Sequence, residues 1–326
     1  MVLRYVAKKW GYGIMSILRT LFVVTSILFS LGHCTAQNVQ PVTGKPTLES
    51  VEHGKYWRYL PRSVTPQSHV LVICHGMLTE EHTGETSALG FMNVWLEFAN
   101  VTKAVLVAPA FEDETFGAGK GGPHGWGYRG LYGRHVGADE FLHEVIDQLK
   151  AINPKYDGRF YMFGHSAGAQ FASHYVVKHP ARVHTAAISA PAWLPFPTME
   201  DNWPRGLKPR RSVRRWPGES EDQEVIMEPD PKAFLAAAEL PLLITSGALD
   251  LEPIRHAPSQ GGDTHVARAQ SWAKAMNEYA VENDRSGNIT CVIVPEVGHS
   301  GGTMARSTMP FLAKHMAGNR SSRRTK

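Results

Sequence analysis

Phe160-Tyr161-Met162-Phe163-Gly164-His165-Ser166-Ala167-Gly168 decides how this 326-residue chain is read. The first four residues are apolar throughout, as in a strand buried on both faces of a sheet. From Ala167 to Lys178 the apolar side chains Phe171, Ala172, Tyr175 and Val176 fall at helical spacing until Pro180 stops them. A strand therefore passes into a helix through G-x-S-x-G. The glycines on either side of Ser166 let the backbone cross closely and hold the serine up at the strand's C-terminal edge. By chance such a pentapeptide would occur about 0.1–0.2 times in a chain of this length. Its position between a strand and a helix makes it informative.

The same alternation extends outward. Short apolar runs at Val70–Cys74, Ala104–Ala108, Val183–Ile188, Leu242–Thr245 and Ile289–Val294 predict further buried strands, with Pro109 stopping the second. Ala138–Ala151 and Val266–Val281 predict amphipathic helices, the latter capped by Asp263 or Thr264. Strand and helix in turn imply an α/β fold with an open, mostly parallel central sheet flanked by helices. Two stretches break the pattern. One is glycine-rich, between Gly117 and Gly137, and carries Trp126, Tyr128 and Tyr132. The other, residues 191–231, is rich in proline and tryptophan and reads as an ordered lid insertion.

A serine hydroxyl becomes a nucleophile when a base takes its proton, and the base needs a carboxylate to fix its tautomer. Two later strands run into Gly247-Ala248-Leu249-Asp250 and Gly298-His299-Ser300. In a parallel sheet both loops open at the edge that presents Ser166, so Ser166, Asp250 and His299 are the predicted catalytic set. Glu252 is the nearest rival to Asp250. An oxyanion needs aimed donors. The Ala167 N–H, just after the serine, and the Met77 N–H, in the loop after the first central strand, are the candidates. His75 in that loop suits ordering it better than acting as a base. Substrate-binding candidates are His75, Trp126, Tyr128, His165, Trp193 and Trp203.

From about Val51 to Met316 these motifs resemble the α/β-hydrolase fold. Within it, His75-Gly76-Met77, Asp139-Glu140-Phe141, Gly164-His165-Ser166-Ala167-Gly168 and the Trp193 region resemble esterases of the polyhydroxyalkanoate-depolymerase and feruloyl-esterase group. The resemblance implies hydrolysis of carboxylic esters through an acyl-enzyme, with no cofactor and no metal. It also implies that Cys74 and Cys291 lie four strands apart. At about 4.8 Å per strand that exceeds the roughly 7 Å reach of a disulfide, so both are expected free and buried.

The ends account for the charge. The whole chain has 34 Lys+Arg against 30 Asp+Glu. Residues 1–36 carry Arg4, Lys8, Lys9 and Arg19 and no acid, then an apolar run from Leu21 to Leu31 and small residues before Gln37. That is the pattern of a secretory signal peptide, with the start possible at Met15, and it predicts a secreted or periplasmic protein without stable membrane insertion. Residues 37–48 read as a lead-in, 49–316 as the catalytic domain and 317–326 as a basic disordered tail. Without 1–36 and the four tail cations the balance is 26 against 30, which removes the case for a nucleic-acid partner. Gly117–Gly122 lacks the Ser/Thr of a phosphate loop, and His143-Glu144 lacks the second histidine of a zinc helix. The expectation is a monomeric serine esterase acting on a small-molecule or oligomeric ester. A lipase or peptidase on the same triad, or a binding protein that keeps the fold without catalysis, are the alternatives.

Overall fold

A computed structural model describes residues 43–117, 127–214, 220, 223–255 and 260–324. In chain order it begins with β1 (Pro46–Val51), β2 (Gly54–Tyr59), β3 (Val70–Cys74), α1 (Gly84–Val94), α2 (Leu96–Thr102), β4 (Val105–Ala110) and α3 (Asp113–Phe116). Then come α4 (Ala138–Ile152), β5 (Phe160–His165), α5 (Ala167–Lys178), β6 (Val183–Ser189), β7 (Arg210–Arg214) and β8 (Gln223–Met227). The chain closes with α6 (Pro231–Glu239), β9 (Leu242–Gly247), α7 (His265–Glu282), β10 (Ile289–Val294) and α8 (Gly301–Arg324).

Eight strands form one sheet in the order β1-β2-β4-β3-β5-β6-β9-β10, and β7 and β8 form a separate antiparallel pair. From β4 to β10 every neighbouring pair in the large sheet is parallel, whereas β1 and β2 add to one side in antiparallel fashion. Strand residues alternate between two cores. Val70, Val72, Phe160 and Met162 pack with Phe141, Phe171 and Trp272, from α4, α5 and α7. Leu71, Ile73, Tyr161 and Phe163 pack with Met92, Trp95 and Leu312, from the α1–α2 region and α8. Both faces of the sheet are thus covered, which explains the uninterrupted apolar runs.

Four expectations need correcting. Pro109 lies within β4, opposite Tyr56 of β2; beyond Val107 that strand no longer pairs with β3, so one flank is free of the ladder that proline would interrupt. The lead-in reaches into β1, whose alternating exposure fits an antiparallel edge strand. The tail is helical as far as Arg324: Asn319 Nδ2 donates to the Tyr161 hydroxyl at 2.7 Å, and cations suit a helix C-terminus. Cys74 is free and buried, but Cys291 is free and only half-buried because β10 is the edge strand.

Residues 1–36, expected from the sequence to be a signal peptide, lie outside the described residues. Among the described residues no helix is long and apolar enough to cross a membrane.

Candidate active site

Strand β5 delivers Ser166 directly to α5. The serine has φ +55° and ψ −117°, a region that side chains other than glycine rarely adopt, so the turn holds it under strain. Backbone bonds fix that geometry: the Ser166 N–H donates to Ser189 O at 2.9 Å, and Ser166 O accepts from the Ala169 and Gln170 N–H groups at 3.0 and 3.1 Å. Both flanking glycines are sterically required. A Cβ on Gly164 would lie 2.2 Å from Gly168 O, and one on Gly168 would lie 2.3 Å from Cys74 O. The crossing anticipated from the pentapeptide therefore ties β5, α5 and the end of β3 together.

The other two loops open at the same edge. After β9 the Leu249 N–H donates to Val297 O at 2.8 Å, joining the loop that carries Asp250 to the loop that carries His299. His299 Nδ1 lies 2.7 Å from Asp250 Oδ2. The carboxylate is 3% exposed while the imidazole is 39% exposed, so the pair has a dry end and an accessible end. Burial pushes the Asp250 carboxyl up, but its close contacts with His265 and His299 outweigh it and hold it well below the ordinary carboxylate range. The His299 ring lies 4.8 Å from that of His165, the residue before Ser166.

The loop after β3 borders the nucleophile. A Cβ on Gly76 would lie 3.8 Å from the Ser166 Cβ, so the Gly76–Met77 backbone runs beside it. Ala167 is the first residue of α5, and its N–H is one of the donors a helix leaves unpaired at its start. Met77 is 45% exposed at the mouth.

His75 is buried behind this loop. Its Nδ1 donates to Gly76 O at 2.7 Å, and its Nε2 accepts from the Phe111 N–H at 3.1 Å. Burial draws it down to about 4, against the opposing bond to Gly76, so it is a neutral imidazole at pH 7. The Tyr128 hydroxyl donates to His75 O at 2.8 Å and to Gly76 O at 3.1 Å. Both side chains brace the loop from within the core, and neither faces substrate as the sequence suggested. Trp203 is likewise 2% exposed, packed edge-on against His174 and Phe234. Aromatic side chains report burial as readily as binding, and here burial won. Trp193 is half-buried, with the Arg129 guanidinium 5.2 Å from its ring. Trp126 lies outside the described residues.

His165 does face a cleft. With Thr86, Ser87, Phe91, Val94 and Gly301 it lines a space of about 430 Å³ between α1 and the start of α8. Its Nδ1 is 3.2 Å from Ser189 Oγ, and burial, reinforced by the His299 charge, draws it down to about 3. Two further features escaped sequence reasoning. Helix α1 supplies Phe91, stacked on His165 at 6.1 Å. His265, the first residue of α7, places Nδ1 3.1 Å from Asp250 Oδ1. The only sequence signal for it was its place just after the cap Thr264. Among the described residues Asp250, His265 and His299, and separately Glu52, His53 and Glu144, bring donor atoms close enough to share a metal ion.

Comparison with known proteins agrees with this geometry. A family model described as serine aminopeptidase, S33 matches residues 115–249, less than half of the chain, and includes Ser166. No curated protein matches the sequence. A poly(3-hydroxybutyrate) depolymerase from Bordetella parapertussis superposes with a TM-score of 0.62 at 23% identity, covering 81% of this chain and 87% of that one. Poly(aspartic acid) hydrolase-1 from Sphingomonas sp. KT-1 superposes with a TM-score of 0.60 at 19% identity, covering 82% of this chain and 97% of that one. An S-formylglutathione hydrolase from Agrobacterium tumefaciens gives 0.50 at 13%, covering 83% and 94%. With the parallel sheet, the elbow between β5 and α5 and these superpositions in agreement, the chain has the α/β-hydrolase fold.

Proposed function

We propose that the protein is a serine hydrolase that cleaves carboxylic esters through an acyl-enzyme. The observation that carries this is the Asp250–His299 pair at 2.7 Å, whose imidazole lies 4.8 Å from the ring of His165, next in sequence to a serine held at φ +55°. Ser166 Oγ attacks the ester carbonyl carbon and His299 Nε2 takes its proton. The Ala167 and Met77 N–H groups hold the oxyanion, and each such donor is typically worth about 10²–10³ in rate. On collapse His299 returns the proton to the leaving alkoxide. Water, deprotonated by the same imidazole, then releases the acid and frees Ser166. Asp250 stays ionised throughout and keeps the His299 proton on Nδ1.

A panel of p-nitrophenyl esters and aminoacyl p-nitroanilides tests the reaction class. Ester cleavage that disappears in Ser166→Ala is expected, and amide cleavage without ester cleavage would overturn it. The aminopeptidase description of the matching family model favours that second reading, so the amide arm is needed. Serine-dependent fluorophosphonate labelling separates both from a binding protein that has lost catalysis.

The basic, then apolar start of the chain supports export with removal of residues 1–36, and N-terminal sequencing of the mature protein checks it. A half-exposed His299 and an exposed Met77 suit an ester group presented on a larger molecule as well as a small ester.

A further inference from the structure

The Asp250 carboxylate has two imidazole neighbours, one on each oxygen. His299 Nδ1 stands 2.7 Å from Oδ2, and His265 Nδ1 stands 3.1 Å from Oδ1. The second contact is off the line of an aligned hydrogen bond, which makes it chiefly electrostatic. The two rings lie 4.7 Å apart. His265 is not a surface residue that drifts near the acid. Only 13% of its side chain is exposed, and it begins an 18-residue helix whose cap, Thr264, accepts from the Ala267 N–H at 3.2 Å. One turn later Arg268 is fully buried and donates to Gly262 O, Ala192 O and Ile254 O, so the start of α7 is pinned to the loop that follows Asp250.

We propose that His265 is a positioning residue of the triad: it fixes the Asp250 carboxylate from its far oxygen and, when protonated, draws that carboxylate's charge away from His299. The inference rests on the serine-hydrolase reading above. Two separate effects follow from the one contact. The His265 ring, seated 3.1 Å from Oδ1 and 4.7 Å from the His299 ring, limits rotation of the carboxylate by its packing, which keeps Oδ2 aimed at His299. Protonated His265 puts a cation beside the imidazole that must itself become an imidazolium in the transition state.

Among the described residues the charged and titratable groups that bear on it are few. Asp250 comes from the β9 loop, His299 from the β10 loop and His165 from the end of β5, and Asp263 and Arg268 belong to its own segment. Of these, Asp250 is the anion in direct contact. Protonation therefore leaves two imidazoles competing for a single carboxylate.

The experiment compares His265→Ala and His265→Asn with the wild type, using pH profiles of kcat and kcat/KM on a p-nitrophenyl ester. Fluorophosphonate labelling of Ser166 measures the fraction of correctly folded sites. The asparagine amide keeps an N–H near the place of Nδ1 but cannot acquire charge. His265→Ala is expected to lose about tenfold in kcat with little change in KM, less than the ~10² that a 1 Å misplacement of a reacting group can cost. Its acid limb should move to higher pH, because Asp250 then serves His299 alone. His265→Asn should recover most of kcat while its acid limb stays moved.

Unchanged kcat and an unchanged acid limb in both variants would overturn the proposal. So would equal loss in both with the wild-type profile, which is the mark of a merely structural residue. Failure of serine-dependent labelling in the wild type would instead overturn the hydrolase reading itself.

Discussion

Two buried aspartates in this molecule make nearly the same contact and serve different ends. Asp250, 3% exposed, holds His299 at 2.7 Å; Asp139, 2% exposed, holds His179 at 2.7 Å and Lys178 also at 2.7 Å. Burial pushes both carboxyls up, and in both the partners outweigh it; Asp139 comes to rest at about 2. The difference lies in what surrounds the imidazole. His299 is 39% exposed and packs against His165, the residue before the strained serine. His179 packs against His143 at 4.7 Å and Tyr175 at 4.9 Å, and joins the end of α5 to the start of α4. Burial draws His143 down to about 4, so that imidazole is neutral at pH 7. A carboxylate–imidazole pair is thus not a catalytic signature. It becomes one when its free nitrogen meets a nucleophile in water-accessible space.

The sharpest way to break this comparison is to remove the nucleophile. Ser166→Ala should lower kcat on an activated ester by about 10⁶, the scale seen when a triad serine is lost. Asp250→Asn should cost about 10⁴ in kcat, because the amide no longer fixes the tautomer of His299. Asp139→Asn should leave kcat within about twofold but lower unfolding free energy in urea by ~2 kcal/mol, as loss of a paired buried charge does. If Asp139→Asn instead abolished turnover with its stability intact, the assigned roles would be reversed.

A pH series sharpens the point. Asp139 is held at about 2, below its ordinary 3.8, so the unfolded chain binds the proton more tightly than the native one. Its stabilisation is fully present above the unfolded value and is lost as pH falls through about 2. The stability gap between wild type and Asp139→Asn should be level from neutral pH to about 5 and then close toward pH 2, read by urea denaturation at each pH. The smallest effect belongs to Lys178→Met. With 38% of that side chain exposed, its pair with Asp139 should contribute under about 1 kcal/mol.

The two pairs were not equally legible in the sequence. Ser166, Asp250 and His299 each follow directly on a strand whose apolar run is unmistakable, and a parallel sheet brings such ends to one edge. Asp139 and His179 are forty residues apart on a helix start and a helix end, where nothing local marks a partner. His265 was hidden for a related reason: its contact depends on how α7 leans on the loop after β9. Strands β1, β2, β7 and β8 were missed because charged residues interrupt their patterns, and β1 alternates in exposure. In the β7–β8 pair Arg211 Nη1 lies 3.1 Å from Glu224 Oε1. Tyr128 and Trp203 were found as aromatic clusters, but sequence gives no sign of which face of a loop turns inward.

Helix α8 starts two residues after His299 and runs back along the sheet. There His69 Nε2 meets Met316 O at 3.0 Å, the Tyr161 hydroxyl donates to His315 O at 3.3 Å, and Asn319 donates to that hydroxyl at 2.7 Å. Tyr161 belongs to the strand that ends at Ser166. Ser166 and His299 are therefore fastened to the same strand, one directly and the other through the far end of a long helix. For anyone handling the protein, a purification handle or a deletion that disturbs residues 315–319 pulls on both residues at once, although it lies at the opposite end of the sheet from them.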